Sequence, residues 1–181
     1  MDVVLKAFPE IPWIFVYRDP VQTVMSQMKK GVRHANCIHQ LRDIPASKTE
    51  FLTSIDRKLN SLNPVEKCAL HLSLLCDAAV EAIDSSNGMG FGVNYEDIAN
   101  KLISTVFPDH FKLEMTEERR ERIIDISGHY SKGIAHRAAK WTEDSDKKDE
   151  KATPMVKDAC ETFLSASYNS LEFKEAKEIV S

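Results

Sequence analysis

One stretch near the amino terminus, Pro12-Trp13-Ile14-Phe15-Val16-Tyr17-Arg18-Asp19-Pro20-Val21, constrains this chain more than any other. Trp13 to Tyr17 is an unbroken apolar and aromatic run, the pattern of a strand buried on both faces, as in a parallel sheet. Arg18 follows at the strand's carboxyl end, where an open parallel sheet places its ligands. Asp19 suits a helix N-cap and Pro20 the first helical position. A helix is therefore expected to start at once and to run through Val21, Val24, Met25 and Met28, carrying Ser26 two turns in. An arginine beside a helix amino terminus suits an anion. The same residues also read as a capped strand-to-helix junction with a surface ion pair.

The strongest helical pattern opens at Asn63-Pro64, with Val65, Cys68, Ala69, Leu72, Leu75, Cys76, Ala79 and Ile83 forming a wide apolar face. His71 on this helix reads as a core or boundary histidine. Ser85-Ser86-Asn87-Gly88 ends it, and Gly88, Gly90 and Gly92 are expected to allow a tight return. A second short strand is expected from Phe91 to Tyr95, then a helix from Glu96-Asp97 through Ile98, Leu102, Ile103 and Val106, ended by Pro108. Tyr95 thus stands at a strand's carboxyl end, like Arg18, where a shared crevice would lie. Its other reading is a ring capping the edge of the core.

The remaining segments are less constrained. Residues 30–48 read mostly as loop, and Phe51-Leu52-Ile55-Leu59-Leu62 as one amphipathic helix. Thr116 is expected to cap a helix with Ile123, Ile124 and Ile126 on its buried side. Gly128 and Gly133 bracket His129-Tyr130-Ser131-Lys132, so the chain turns there. Lys132 followed by Gly133 offers a point charge and a free backbone N–H to phosphate, or is simply a solvated helix end. The charged residues of 142–152 read as a linker; Asp144, Asp146 and Asp149 lack the glycine and glutamate of a calcium loop. Thr153-Pro154 caps a final helix with Val156, Ala159, Cys160, Phe163, Leu164, Ser167 and Leu171 inward.

A chain of 181 residues, 43% hydrophobic and 29% charged, is expected to be a single domain over 1–181. Its net charge of −4 argues against a nucleic-acid or anionic-membrane surface, so an anionic ligand needs a local cluster of cations. No apolar run is long enough to span a membrane, and Met1-Asp2-Val3-Val4-Leu5-Lys6 does not resemble a secretory signal, which favours a cytoplasmic location. Cys37, Cys68, Cys76 and Cys160 show no C-x-x-C spacing and no disulfide framework. Cys68 and Cys76 are expected to be small buried hydrophobes on one helix face. His34, Cys37 and His39 lack the second cluster a zinc site needs, and read as a loop. Two strands are convincing, and a two-stranded parallel sheet is not self-sufficient. Exposed apolar edge and face, and self-association, are expected to follow.

Tyr17-Arg18-Asp19-Pro20 with Ser26 resembles the 3′-phosphate motif of sulfotransferases that use 3′-phosphoadenosine 5′-phosphosulfate (PAPS). Val93-Asn94-Tyr95-Glu96-Asp97-Ile98 is similar to that family's strand ending in Tyr-Glu-Asp. Tyr130-Ser131-Lys132-Gly133, with Trp141 beyond it, is similar to its late Arg-Lys-Gly segment, although Ser131 stands where the family has arginine; Arg137 is the candidate substitute. The resemblance runs from about Phe8 to Leu171 and implies an α/β fold. The chain would be the mostly helical carboxyl-terminal part of a P-loop-type parallel-sheet domain. It also implies that Arg18, Ser26, Lys132 and Gly133 hold the 3′-phosphate of PAPS, or of its product adenosine 3′,5′-bisphosphate (PAP). Tyr95 would lie by the adenine, and an acceptor hydroxyl or amine would attack sulfur in line. The family's Gly-Lys-Ser/Thr phosphate loop has no counterpart among Gly31, Gly88, Gly90, Gly92, Gly128 and Gly133, and its catalytic base would lie before Met1. The reading from another class is a non-catalytic helical interaction module on a degenerate scaffold of this kind.

These 181 residues are therefore expected not to transfer sulfuryl groups alone, because charge stabilisation at sulfur and a base at the acceptor are both missing. His34, His39 and His71 are no replacement without a loop to bring the sulfur to them. An assay with radiolabelled PAPS and a broad acceptor panel checks this. Turnover that vanishes in Arg18→Ala would refute it.

Overall fold

Two strands, β1 (Trp13–Tyr17) and β2 (Gly90–Asn94), pair in parallel with Trp13 opposite Gly90 and Tyr17 opposite Asn94. The structure, a computed structural model, describes residues 2–29, 31–41, 43–127, 129–130, 139–140 and 150–178. Its helices in chain order are α1 (Asp2–Ala7), α2 (Pro20–Met28), α3 (Asn36–His39), α4 (Ala46–Ser54), α5 (Pro64–Ser85), α6 (Ile98–Lys101), α7 (Glu117–Ser127), α8 (Pro154–Phe163) and α9 (Ser165–Glu178). A π-helical stretch occupies Leu102–His110, and β3 (His129–Tyr130) pairs antiparallel with β4 (Ala139–Lys140). The architecture is α/β in the coarse sense, mostly helical around a small parallel sheet.

Helix α5 is the spine, packing against α2, α3, α8, α9 and β2. Its start is doubly capped: Asn63 Oδ1 accepts from the N–H groups of Val65 and Glu66, and Glu66 Oε2 accepts from Asn63 N–H at 2.7 Å. That reciprocal cap satisfies donors the helix cannot satisfy itself. One side of the core joins Val24 of α2, Leu52 of α4, Ala69 and Leu70 of α5 and Val156, Ala159 and Phe163 of α8. On the sheet, Trp13, Phe15 and Tyr17 face Ala79 and Ile83 of α5 and Leu171 of α9. The opposite face sets Ile14, Phe91 and Val93 against Ile98, Leu102, Val106 and Phe107.

The sheet corrects one expectation. Gly88, at φ +83°, makes the return from α5, but Gly90 and Gly92 lie within β2, which begins a residue earlier than expected. A Cβ on Gly90 would lie 2.4 Å from the Trp13 ring, so glycine is there to let the indole lie flat on the neighbouring strand.

Five further expectations give way. The helix expected across Phe51 to Leu62 ends at Ser54, because Asp56 adopts φ +54° and Arg57 N–H reaches Leu52 O at 2.9 Å, a Schellman closure made without glycine. The helix expected to stop at Pro108 continues in wider π turns to His110, closed by Phe111 N–H on Val106 O at 2.7 Å. On α7, Ile124 and Ile126 are exposed, since Ile124 lies on the far side of the helix from Ile126, and no described residue of α7 is buried. The final helix is two, broken at Leu164, although every residue expected inward is buried, and the Thr153 hydroxyl makes no capping bond to α8. Short helical turns, among them α3, interrupt the loop expected over 30–48. Of the charged 142–152 run, 150–152 are described, and Ala152 joins the core.

The cysteines bring the largest correction. Cys37 and Cys68 form a disulfide between α3 and α5, their Cα atoms 4.8 Å apart, so Cys68 is a cross-link rather than a lone hydrophobe. Nothing in spacing alone pairs residues 31 apart; α3 and the turns before it fold back on α5 and bring the thiols together. His39 Nε2 donates to Arg33 O, and no group of three metal-ligating side chains occurs among the described residues. No described helix is long and apolar enough to cross a membrane. Replacing both bonded cysteines, Cys37→Ala with Cys68→Ala, should lower the unfolding free energy by roughly 3–4 kcal/mol through the freedom returned to the released loop. The urea midpoint under non-reducing conditions measures it, and an unchanged midpoint refutes it.

Candidate functional site

The carboxyl end of β1, the middle of α5 and the junction of α8 with α9 enclose a cleft of about 370 Å³. Phe15, Val16, Leu72, Leu75, Cys76 and Leu164 give it an apolar wall, with Tyr17 and Tyr168 deeper in and Arg18, Thr23 and Tyr95 also lining it. The position follows from chain topology. Parallel strands end on the same side, so the residues that follow β1 and β2 meet there.

Arg18 and Tyr95 meet directly. The guanidinium carbon lies 5.1 Å from the centre of the Tyr95 ring, a cation–π contact. Arg18 Nε also donates to Gln22 Oε1 at 2.6 Å. Gln22 in turn donates through Nε2 to Glu96 Oε1 at 3.3 Å, and through its backbone to Asp19 Oδ1 at 2.9 Å. Only 3% exposed, Gln22 is a buried bridge between an arginine and a carboxylate. Sequence reasoning missed it; the available signal was its place in the first turn of α2, close behind Arg18, on the same helix face as Ser26.

Ser26 is exposed and does not line the cleft. Lying one turn beyond Gln22, it is about 6 Å further along the helix from Arg18. Lys132 and Gly133, with Arg137 and Trp141, lie outside the described residues. The structure thus brings together Arg18 and Tyr95 of the expected set and adds Gln22 and Glu96 to them.

Burial keeps most other polar groups of the cleft neutral. It raises the Tyr17 hydroxyl well above its ordinary range, and the hydrogen bond to Glu175 adds to the effect. The Tyr168 hydroxyl is raised by burial and by Glu172. The two rings meet edge to face at 5.5 Å, and Tyr168 Oη accepts from Asn94 Nδ2 at 3.2 Å. Burial, helped by Asp77, pushes the Cys76 thiol up to about 12, so it is not a thiolate nucleophile near neutral pH. His71, half-buried on α5, has its pKa lowered by burial, as befits a boundary histidine. Arg18 is the ionised group among the lining residues. Such a cleft is equipped to bind an apolar or aromatic body carrying an anionic group.

The thiols set a pH dependence. Cys76 and Cys160 titrate at about 12 in the folded chain, against about 8.5 when unfolded. Because the folded values are raised, this stabilisation is whole below about pH 8.5 and is lost as pH rises toward 12. The urea midpoint should hold to about pH 8 and fall between about pH 9 and 11, the fall flattening in a Cys76→Ala, Cys160→Ala variant. A midpoint unchanged to about pH 11 contradicts the assignment.

No family model, curated protein or solved structure matches the chain.

Proposed function

We propose that this chain is a sulfotransferase-like protein that binds the 3′-phosphoadenosine part of PAPS, for sulfuryl transfer to an acceptor hydroxyl or amine. The observation that carries the reading is the stacked pair Arg18 and Tyr95, each following one of two adjacent parallel strands at the mouth of an apolar cleft. On this reading β1 and β2 are neighbouring strands of a larger P-loop-type parallel sheet.

The donor set suits the ligand. An arginine pre-oriented by Gln22 and by an aromatic face keeps its planar fork in one attitude, which favours bidentate contact with a phosphate. Because Arg18 covers one face of the Tyr95 ring, an adenine would use the other face or the ring edge, its body against the cleft wall. Ser26 would reach the phosphate only by water or by a shift of α2, while Lys132 and Gly133 would close over it. Glu96, one hydrogen bond beyond Gln22, tempers the local positive field at this end.

The second reading is the non-catalytic interaction module, favoured by the exposed Ile124 and Ile126 of α7. Nucleotide binding separates the two. Saturating adenosine 3′,5′-bisphosphate should raise the melting temperature by roughly 5–10 °C through mass action, and Arg18→Ala should remove the shift. Equal protection by adenosine 5′-monophosphate, which lacks the 3′-phosphate, would overturn the assignment.

A further inference from the structure

Glu175 sits on α9 with 8% exposure, although a carboxylate is costly to bury without partners. Its partners come from three other elements. The Tyr17 hydroxyl, at the end of β1, donates to Oε2. Asn94 N–H, at the end of β2, donates to the same oxygen at 3.1 Å. Lys101, at the end of α6, approaches Oε1 at 3.1 Å, its side chain only 16% exposed. A backbone amide, a neutral hydroxyl and an ammonium converging on one point are the equipment of an oxyanion site. The donors stand on the sheet and α6; the anion arrives from the carboxyl-terminal helix. The place is also distinctive, since Tyr17 and Asn94 immediately precede Arg18 and Tyr95 at the carboxyl edge of the sheet.

Leu171 is fully buried and anchors the helix, but beyond it Phe173 is 58% exposed. Lys174 pairs with Asp84, whose side chain is 53% exposed, and such exposed pairs contribute little. Among residues 172–175, Glu175 is the buried one.

We propose that Tyr17, Asn94 and Lys101 form an oxyanion-binding site that the chain fills with its own Glu175, and that a small carboxylate, sulfate or phosphate takes that place when the Glu175 side chain is removed. The site is separate from the Arg18–Tyr95 pair, and the proposal stands whether or not the chain binds PAPS.

Anion rescue tests it without nucleotide. Glu175→Ala should lower the melting temperature in chloride by roughly 10 °C, because buried donors and an ammonium lose their acceptor. Formate, acetate, sulfate or phosphate, titrated at constant ionic strength, should restore a large part of that loss saturably. The wild-type chain should show only the general salt effect. Glu175→Gln, which keeps the site filled, should show no rescue, and adding Lys101→Ala to Glu175→Ala should abolish it. If Glu175→Ala does not fold in chloride, recovery of its helical circular dichroism in formate gives the same supporting result. A variant that gains no more than wild type from any of these anions, or that folds in none of them, overturns the proposal.

Discussion

A parallel pair of strands cannot be closed by a hairpin, and both its faces must be covered; the rest of this structure answers to that constraint. The crossover between β1 and β2 contains α2 to α5, and α5 lies on the face that presents Trp13, Phe15 and Tyr17. The opposite face is covered at Ile14 and Val93 by residues that follow β2, from Ile98 through the π-helical stretch, with His110 Nε2 donating to Trp13 O at 3.1 Å. Val16 stays 40% exposed, so β1 is not buried on both faces along its whole length. At the two ends of β2, N–H groups are taken by side chains: Gly90 N–H by Ser86 Oγ at 2.8 Å and Asn94 N–H by Glu175.

Covering the sheet also explains the second core. With its sheet-facing side engaged, α5 turns its first half toward α2, α4 and α8, where Leu70, Val24, Leu52 and Phe163 are buried together. The disulfide from α3 to Cys68 fastens the crossover to the same helix. One helix thus links the sheet, the helical core and the cross-link. The cleft forms where these bodies diverge, at the level of Leu72, Leu75 and Cys76.

At the carboxyl edge of the sheet, two adjacent arrangements gather charge. Arg18 is aligned by Gln22 and Tyr95, and Glu175 is held by Tyr17, Asn94 and Lys101. Both exist because parallel strands deliver consecutive residues of two distant segments to one place, with side chains alternating between faces. Tyr17 turns into the core toward α9 while Arg18, next in sequence, reaches Gln22 and the Tyr95 ring.

By itself the sequence determined the elements whose signals are local. The apolar run Trp13–Tyr17, the Asp19-Pro20 start of α2, the Asn63-Pro64 start of α5 and the inward residues of α8 and α9 all depend on neighbours within a turn or two. The positions of Arg18 and Tyr95, each just past a strand end, were legible for the same reason. Whatever required two distant segments to meet was decided by tertiary structure. Asp56 closed α4 without the glycine that marks such ends, and Gly90 served the Trp13 ring rather than a turn. Cys37 met Cys68, and Gln22 rather than Ser26 reached Arg18. Glu175, an unremarked residue in a charged helix, became the buried partner of both strand ends. Periodicity and capping act over a few residues, whereas pairing, burial and charge compensation depend on which surfaces the folded chain brings within a few ångströms.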